Sequence, residues 1–340
     1  MTYELAFNFL LIAVGMFILI RSGVYIVRSL VGIAHFLKVS EFTLSFILMA
    51  FATTLPEFAI GVNAAFRKES LISLGNILGA NILTIGLVLG LVALISGRLI
   101  IHHQPKGTII FHHWFTFLLG ISPLILLIDL KLSRFDGLIL IALFFANLLR
   151  LFHLKEIFNH GKSFWLSHFH PHGDIISAGV HPNRLIFQEW KSFLKNLFIF
   201  LAAAGFLLFS AYLIIEGAKN ISVKIGMSQF LVGALIIALG TTLPELSFGI
   251  RAALLKKGEL SLGNLFGATA FNSTWILGVV ALISPIEISE PSAFLIAAVF
   301  MILALFLANF FLQTRGAISR KEGLVLVGIS ILFIITQIFL

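Results

Sequence analysis

The chain has 340 residues, of which 59% are hydrophobic and only 11% are charged, with a mean hydropathy of +1.07 and a net charge of +8. Soluble domains have about 45–50% apolar and about 25% charged residues. This composition excludes a soluble globular enzyme, a disordered chain and a secreted disulfide scaffold, and it indicates an integral membrane protein. The chain has no cysteine, which excludes thiolate metal sites and cysteine nucleophiles.

Ten apolar runs are long enough to cross a bilayer, because a hydrocarbon core of about 30 Å needs about 20 helical residues. They lie at 5–36, 42–66, 71–96, 109–129, 135–152, 193–218, 228–255, 260–284, 292–313 and 323–340. The sequence therefore predicts an all-α membrane protein with ten transmembrane helices.

Lys and Arg residues are distributed unevenly over the two sides of these spans. One side holds fifteen and the other holds six, when Arg21 and Arg28 within the first span are left out. The positive-inside rule makes the fifteen-charge side cytoplasmic, so the excess charge reports orientation and no nucleic-acid partner is expected. We predict a multi-pass protein of the plasma (inner) membrane, with both termini outside and the 153–192 loop cytoplasmic.

A long internal repeat relates the two halves of the chain at a fixed offset of 188 residues. Residues 52–96 and 240–284 are identical at 22 of 45 positions without a gap. Five spans per half force the two copies into opposite orientations, and inverted repeats are typical of transporters that bind substrate near the bilayer midplane. The predicted units are two five-helix repeats, 1–152 and 193–340, joined by a histidine-rich linker, 153–192.

Each repeat carries the motif Thr-Thr-Leu-Pro-Glu inside an apolar run. The copies are Thr53, Thr54, Leu55, Pro56, Glu57 and Thr241, Thr242, Leu243, Pro244, Glu245. A carboxylate at membrane depth is costly and indicates a functional site. Proline disrupts the hydrogen bond to the carbonyl four residues earlier, which predicts broken helices with free carbonyls at Ala52 and Gly240. Carboxylates, hydroxyls and carbonyls are the oxygen ligands of Ca²⁺ or another hard cation.

A second polar patch begins the next span of each repeat, at 75–84 and 263–272. Glycines at spacing four predict close helix packing. Helical spacing places three residues of each copy on one face: Asn76, Ala80, Thr84 and Asn264, Ala268, Asn272. For Asn81 and Thr269, hydrogen bonding between helices and contact with an ion are both open.

With these motifs, the chain resembles the calcium/cation antiporter superfamily, which includes the sodium/calcium exchangers. The resemblance covers the two repeats closely and the ten-span plan loosely, and it leaves the 153–192 loop outside. It implies that Glu57 and Glu245 bind Ca²⁺ at the midplane and that Thr53 and Thr241 line Ca²⁺ and Na⁺ positions. Thr54, Thr242, Thr84 and Asn272 would complete the site.

Two departures from the family pattern bear on the counter-ion. Sodium exchangers of the family have serines that help to bind Na⁺ where this chain has Ala80 and Ala268, and the final positions here, Thr84 and Asn272, add no third acid. The two glutamates can balance one Ca²⁺ or two protons equally. This slightly favours H⁺ over Na⁺ as the counter-ion, although carbonyls and threonines could hold Na⁺.

The expected function is antiport of Ca²⁺, or a similar divalent cation, against H⁺ or Na⁺ by alternating access, with no resident cofactor and no enzymatic activity. A membrane enzyme that uses the paired glutamates is an alternative, although no nucleophile or oxyanion donor accompanies them. A metal sensor is another, because the 153–192 loop carries His168, His170 and His172. The preferred interpretation of this loop is a linker at the membrane surface.

Arg28 and Glu216 occupy equivalent positions in the first and sixth spans. They could pair with each other, but extension of each side chain to a membrane interface is the favoured interpretation.

Overall fold

The computed structural model describes residues 2–36, 53–100, 106–158, 182–255, 258–289 and 291–339. Residues 42–52 of the predicted 42–66 span, with Ala52, and the linker histidines His168, His170 and His172 lie outside these ranges. The helices are α1 (Thr2–Phe36), α2 (Leu55–Phe66), α3 (Ser70–Ile82), α4 (Leu89–Ser96), α5 (Lys106–Leu126), α6 (Arg134–Phe158), α7 (Pro182–Ile225), α8 (Gln229–Leu231), α9 (Ala238–Thr241), α10 (Leu243–Leu254), α11 (Gly258–Phe271), α12 (Leu277–Ile283), α13 (Pro291–Arg315) and α14 (Arg320–Ile338). The strands are β1 (Arg98–Ile100), β2 (Lys131–Leu132), β3 (Ile286–Glu287) and β4 (Ala317–Ser319).

Several of these helices follow one another without a break and cross the membrane as one unit. π-Helical turns at Leu83–Val88, Val232–Ile237 and Asn272–Ile276 join α3 to α4, α8 to α9 and α11 to α12. Within the described residues, seven helical segments are long and apolar enough to span a bilayer, and two shorter apolar helices accompany them. The nearly all-helical membrane fold that the sequence predicts is therefore confirmed, while the three-part domain division remains a prediction.

Two short antiparallel strand pairs connect loops from the two halves of the chain. Strand β1 pairs with β4, with Arg98 opposite Ser319, and β2 pairs with β3, with Lys131 opposite Glu287. In the predicted order of spans, the β1–β4 pair lies on the side of the 153–192 loop. The β2–β3 pair lies on the side of the two termini. Each pairing thus joins loops that the ten-span order assigns to one side of the membrane.

The Thr-Thr-Leu-Pro-Glu motifs interrupt the helices that contain them. Helix α2 begins at Leu55, after a bend at Thr54 with φ −92° and ψ 0°. Helix α10 begins at Leu243, after a turn at Thr242 with φ −80° and ψ −3°. The proline occupies the first turn of each new helix, where its missing N–H leaves no helical hydrogen bond unmade. Each repeat therefore starts a helix inside the membrane.

Glycines bring α3 into backbone contact with the α8–α9 segment. A Cβ added to Gly75 would lie 2.9 Å from the carbonyl carbon of Phe230, and one added to Gly79 would lie 2.8 Å from the Cα of Ala234. Small residues at spacing four allow this approach, as the sequence predicts for α3. By the repeat offset, the equivalent partner of α11 falls at 41–50, outside the described residues.

Helices α1 and α7 pack along each other and form a layer beside the rest of the bundle. Their buried side chains share one apolar cluster with α2, which includes Leu19, Ile60 and Ile214. A second and larger cluster holds the α3–α4 and α11–α12 segments together with α13 and α14. The motif helices α2 and α10 contribute to these clusters, so the repeated polar residues lie inside the bundle.

Candidate functional site

Glu57 and Glu245 are both buried, each with 1% of its surface exposed. Each lies in the first turn of its helix, α2 or α10, where the aligned peptide dipoles favour a negative charge. Glu57 lies ten residues before Arg67, which follows the end of α2, and Glu245 lies ten residues before Leu255, which follows the end of α10. Ten helical residues rise by about 15 Å, which is half of the hydrocarbon thickness. In the predicted span order the two helices leave this level toward opposite sides, so both carboxylates are near the midplane.

Two hydrogen bonds cross between the repeats in a symmetric pattern. Thr53 Oγ1 donates to Asn264 Oδ1 at 3.3 Å, and Thr241 Oγ1 donates to Asn76 Oδ1 at 3.1 Å. Thr53 and Thr241 are equivalent in the repeat, and so are Asn76 and Asn264. The threonine of each motif therefore contacts the polar patch of the other half.

Each carboxylate lies near the motif threonine of the other repeat. Glu57 interacts with the side chain of Thr241, and Glu245 interacts with the side chain of Thr53 and electrostatically with Glu57. Within the described residues, both carboxylate oxygens of Glu57 and the Oε2 of Glu245 are buried and have no partner in hydrogen-bonding geometry. Buried carboxylate oxygens without donors are energetically costly, so these atoms are suited to accept a cation or a proton.

Asn81 and Asn272 form a second contact between the repeats. The Asn272 amide donates to Asn81 Oδ1 at 3.1 Å, and the Asn81 amide donates to Ser273 Oγ at 2.9 Å. The Oδ1 of Asn272 is buried without a hydrogen-bond partner among the described residues. Thr269 differs, because its hydroxyl donates to the Leu265 carbonyl of its own helix at 3.0 Å.

The remaining predicted site residues differ in burial and in hydrogen bonding. Thr54 and Thr84 are buried. The Thr242 hydroxyl donates to the Ala238 carbonyl at 2.9 Å, so it is satisfied within its own segment. Gly240 is partly buried, and its carbonyl faces the backbone N–H of Thr242.

Three buried serines belong to this region and are absent from the predicted set. Ser73 and Ser261 are equivalent in the repeat and are both fully buried, and their hydroxyls have no hydrogen-bond partner among the described residues. Their signal in the sequence is the doubled Ser-Leu-Gly-Asn, which overlaps the start of each polar patch. Ser273 directly follows Asn272, and only its contact with Asn81 in space identifies it.

The donors at this centre are oxygen atoms of carboxylates, hydroxyls and amides. Hard cations such as Ca²⁺ prefer such ligands, whereas zinc and copper sites generally use imidazole or thiolate. Within the part of the chain that the structure describes, no group of three or more His, Cys, Asp or Glu residues is arranged so that it could hold a metal ion. The set of donors is therefore suited to a hard cation.

Comparison with known proteins gives consistent matches over both repeats. The family described as sodium/calcium exchanger protein matches residues 7–152 and 195–339. Sodium/calcium exchanger MaX1 of Methanosarcina acetivorans is 28% identical over 376 aligned residues, which cover 98% of this chain and 99% of the relative. CaxA of Alkalimonas amylolytica is 30% identical over 322 residues, 93% of each chain. A solved structure of the sodium-calcium exchanger NCX_Mj shares the fold, with a TM-score of 0.58, 24% identity and 99% coverage of both chains.

Proposed function

Since the chain belongs to the sodium/calcium exchanger family, we propose that it is an antiporter that exchanges Ca²⁺ for a monovalent cation across a membrane. Glu57 and Glu245 are the charged ligands, and Thr53 and Thr241 supply oxygens from the opposite repeats. The cation is cargo, so the protein needs no resident cofactor. The family consists of transporters and not of enzymes, which excludes the alternative of a membrane enzyme.

The observation that carries this proposal is the pair of buried carboxylates next to the threonines of the crossed bonds. Three of their four oxygens have no hydrogen-bond partner among the described residues. A divalent cation between two such carboxylates is neutralised, and it satisfies oxygens that the protein leaves open. MaX1 and NCX_Mj are named as exchangers of sodium and calcium, which supports the choice of Ca²⁺ as cargo.

The two repeats meet at this site in opposite orientations, which supports alternating access. In the predicted span order, α2 and α10 extend from the midplane to opposite membrane faces, so movement of one half against the other exposes the carboxylates to each face in turn. Both crossed bonds run between the halves, and they change together when the halves move.

We propose that H⁺ is the counter-ion, in preference to Na⁺. Ala80 and Ala268 stand where sodium exchangers of the family have serines, and both alanine side chains are buried. These positions therefore lack the hydroxyl oxygens of a Na⁺ site. Two protons on Glu57 and Glu245 replace the two charges of Ca²⁺, which keeps the centre neutral in both states. MaX1 and NCX_Mj are named as exchangers of sodium and calcium, which instead favours Na⁺ as the counter-ion.

The experiment is ⁴⁵Ca²⁺ uptake into proteoliposomes under an imposed pH gradient or an imposed Na⁺ gradient. We expect the pH gradient to drive uptake and the Na⁺ gradient not to drive it. Uptake driven only by Na⁺ would overturn proton coupling and leave Ca²⁺ exchange standing. Protein-dependent uptake under neither gradient would refute the exchange function itself. Protein-free liposomes and a Glu57→Gln variant provide the background.

A further inference from the structure

A groove lies between α1 and α7, away from the buried glutamates. It has a volume of about 340 Å³ and is lined mostly by apolar side chains. Phe17 and Ile18 line it from α1, while Phe198, Ala202 and Phe206 line it from α7. On α7, the small side chain of Ala202 leaves room between Phe198 and Phe206. The lining extends over about two turns of each helix and is mostly apolar, as the binding site of a hydrocarbon chain needs to be.

One cationic side chain, Arg21, lines this apolar groove. Arg21 is exposed, and its guanidinium carbon lies 5.4 Å from the centre of the Phe17 ring. None of the ion pairs formed within the described residues involves Arg21. The groove therefore combines an apolar channel with a cation that lacks a protein counter-ion.

The depth of Arg21 matches the headgroup region of one leaflet. Glu4 pairs with Lys224 at 2.5 Å, where the first turns of α1 meet the end of α7, and this pair marks one membrane surface. Arg21 lies seventeen residues further along α1, a rise of about 26 Å across a core of about 30 Å. Arg28 is two turns beyond Arg21 and is also exposed. The two arginines thus lie where lipid phosphates of the opposite leaflet are found.

We propose that this groove binds one anionic glycerophospholipid. An acyl chain lies between Phe17 and Phe206, and the phosphate pairs with Arg21, with Arg28 within reach of the rest of the headgroup. Charge complementarity selects an anionic lipid, because a zwitterionic headgroup brings its own cation and competes with the arginines for the phosphate. The lipid would bridge α1 and α7, the two helices of the outer layer.

The test is lipid binding to the purified full chain in detergent, measured by native mass spectrometry. The probes are phosphatidylglycerol, phosphatidylcholine with the same acyl chains, and inorganic phosphate. Phosphatidylglycerol is expected to bind most tightly, and Arg21→Gln is expected to weaken it by about tenfold or more, because a charge-assisted hydrogen bond is lost. Ala202→Leu leaves the charge intact but fills the groove, and it is expected to reduce binding as well.

Arg134→Gln is the matched control, because Arg134 is an exposed arginine at the start of α6, away from the groove. Its binding of phosphatidylglycerol is expected to equal that of the wild type. Equal binding of the two lipids would overturn the proposal, as would unchanged binding in Arg21→Gln. Equally tight binding of free phosphate would show an anion site without a lipid chain. A change of oligomeric mass in Arg21→Gln, without a change in lipid binding, would assign the groove to a second copy of the chain.

Discussion

Arg67 Nη1 and Glu216 Oε2 form an ion pair at 2.7 Å that joins the end of α2 to α7. The Arg67 guanidinium also lies 4.0 Å from the centre of the Tyr212 ring. Next to it, Lys219 pairs with Glu69 at 2.7 Å, and the Gln229 side chain donates to the same carboxylate. These contacts connect the α1–α7 layer to the repeat that contains Glu57.

A double-mutant cycle with Arg67→Gln and Glu216→Gln is expected to give a coupling energy of about 1 kcal/mol. Partial burial and the stacked ring place this pair at the upper end of the range for surface pairs. The measurement is thermal unfolding in detergent. Lys131 and Glu287, 3.1 Å apart and 62% and 72% exposed, provide a control cycle, for which less than about 0.5 kcal/mol is expected. Equal coupling in the two cycles would contradict the prediction.

Glu57→Gln and Glu245→Gln are each expected to reduce Ca²⁺ flux by at least about tenfold, because a charge-assisted contact contributes about 1.5–3 kcal/mol. Initial rates of ⁴⁵Ca²⁺ uptake in proteoliposomes measure the effect. Glu287→Gln removes the same charge from an exposed strand and is expected to keep the wild-type rate. Wild-type flux in either buried variant would remove that glutamate from the site.

Ala80→Ser together with Ala268→Ser is expected to introduce Na⁺-driven Ca²⁺ uptake. Each substitution adds one hydroxyl oxygen at a buried position one helical turn after Asn76 or Asn264, where sodium exchangers of the family have serine. The readout is the ratio of Na⁺-driven to pH-driven uptake, which should rise at least severalfold. Ala304→Ser places the same hydroxyl at another buried position, in α13, and should leave the ratio unchanged. An unchanged ratio in the double variant would exclude these two positions as the cause of ion preference.

Gly75→Ala is expected to destabilise the protein. In a helix interior alanine is favoured over glycine by about 0.5–1 kcal/mol. At Gly75, however, the new Cβ would conflict with the backbone at Phe230, and overpacking costs about 1–3 kcal/mol. Gly205→Ala is the control, because no described atom lies within 4 Å of a Cβ added there. The melting temperature should fall for Gly75→Ala and should hold or rise for Gly205→Ala. The reverse order would refute direct backbone contact at Gly75.

Deletion of residues 160–182 is expected to leave Ca²⁺ flux intact. Every residue proposed to bind the cation lies outside this stretch, whose histidines suggest a metal sensor as an alternative function. The same proteoliposome assay measures the outcome. Loss of flux from a deletion variant that remains folded would assign the loop a role in transport.

The repeat allowed the interior of the fold to be predicted in unusual detail. Two copies of one motif indicated where the helices break and which two carboxylates are buried. Proline inside an apolar run indicates a broken helix, and glutamate at membrane depth indicates a functional site. The pairing across the repeats was not predictable. Helical spacing relates Asn76 to Thr84 along one helix, but only the packing of the halves brings Asn76 to Thr241. Arg67 and Glu216 are 149 residues apart and follow no shared pattern.

The crossed bonds have a consequence for how such a protein could arise. Thr53 contacts Asn264 and Thr241 contacts Asn76, which is the reciprocity of an isologous dimer interface, here contained in one chain. A single five-helix copy contains only one member of each bond, so it has no complete site. Two identical copies inserted in opposite orientations would form both bonds at once. Fusion of two such copies would fix the pairing and free the two halves to diverge, and Thr84 and Asn272 are one pair of equivalent positions that differ.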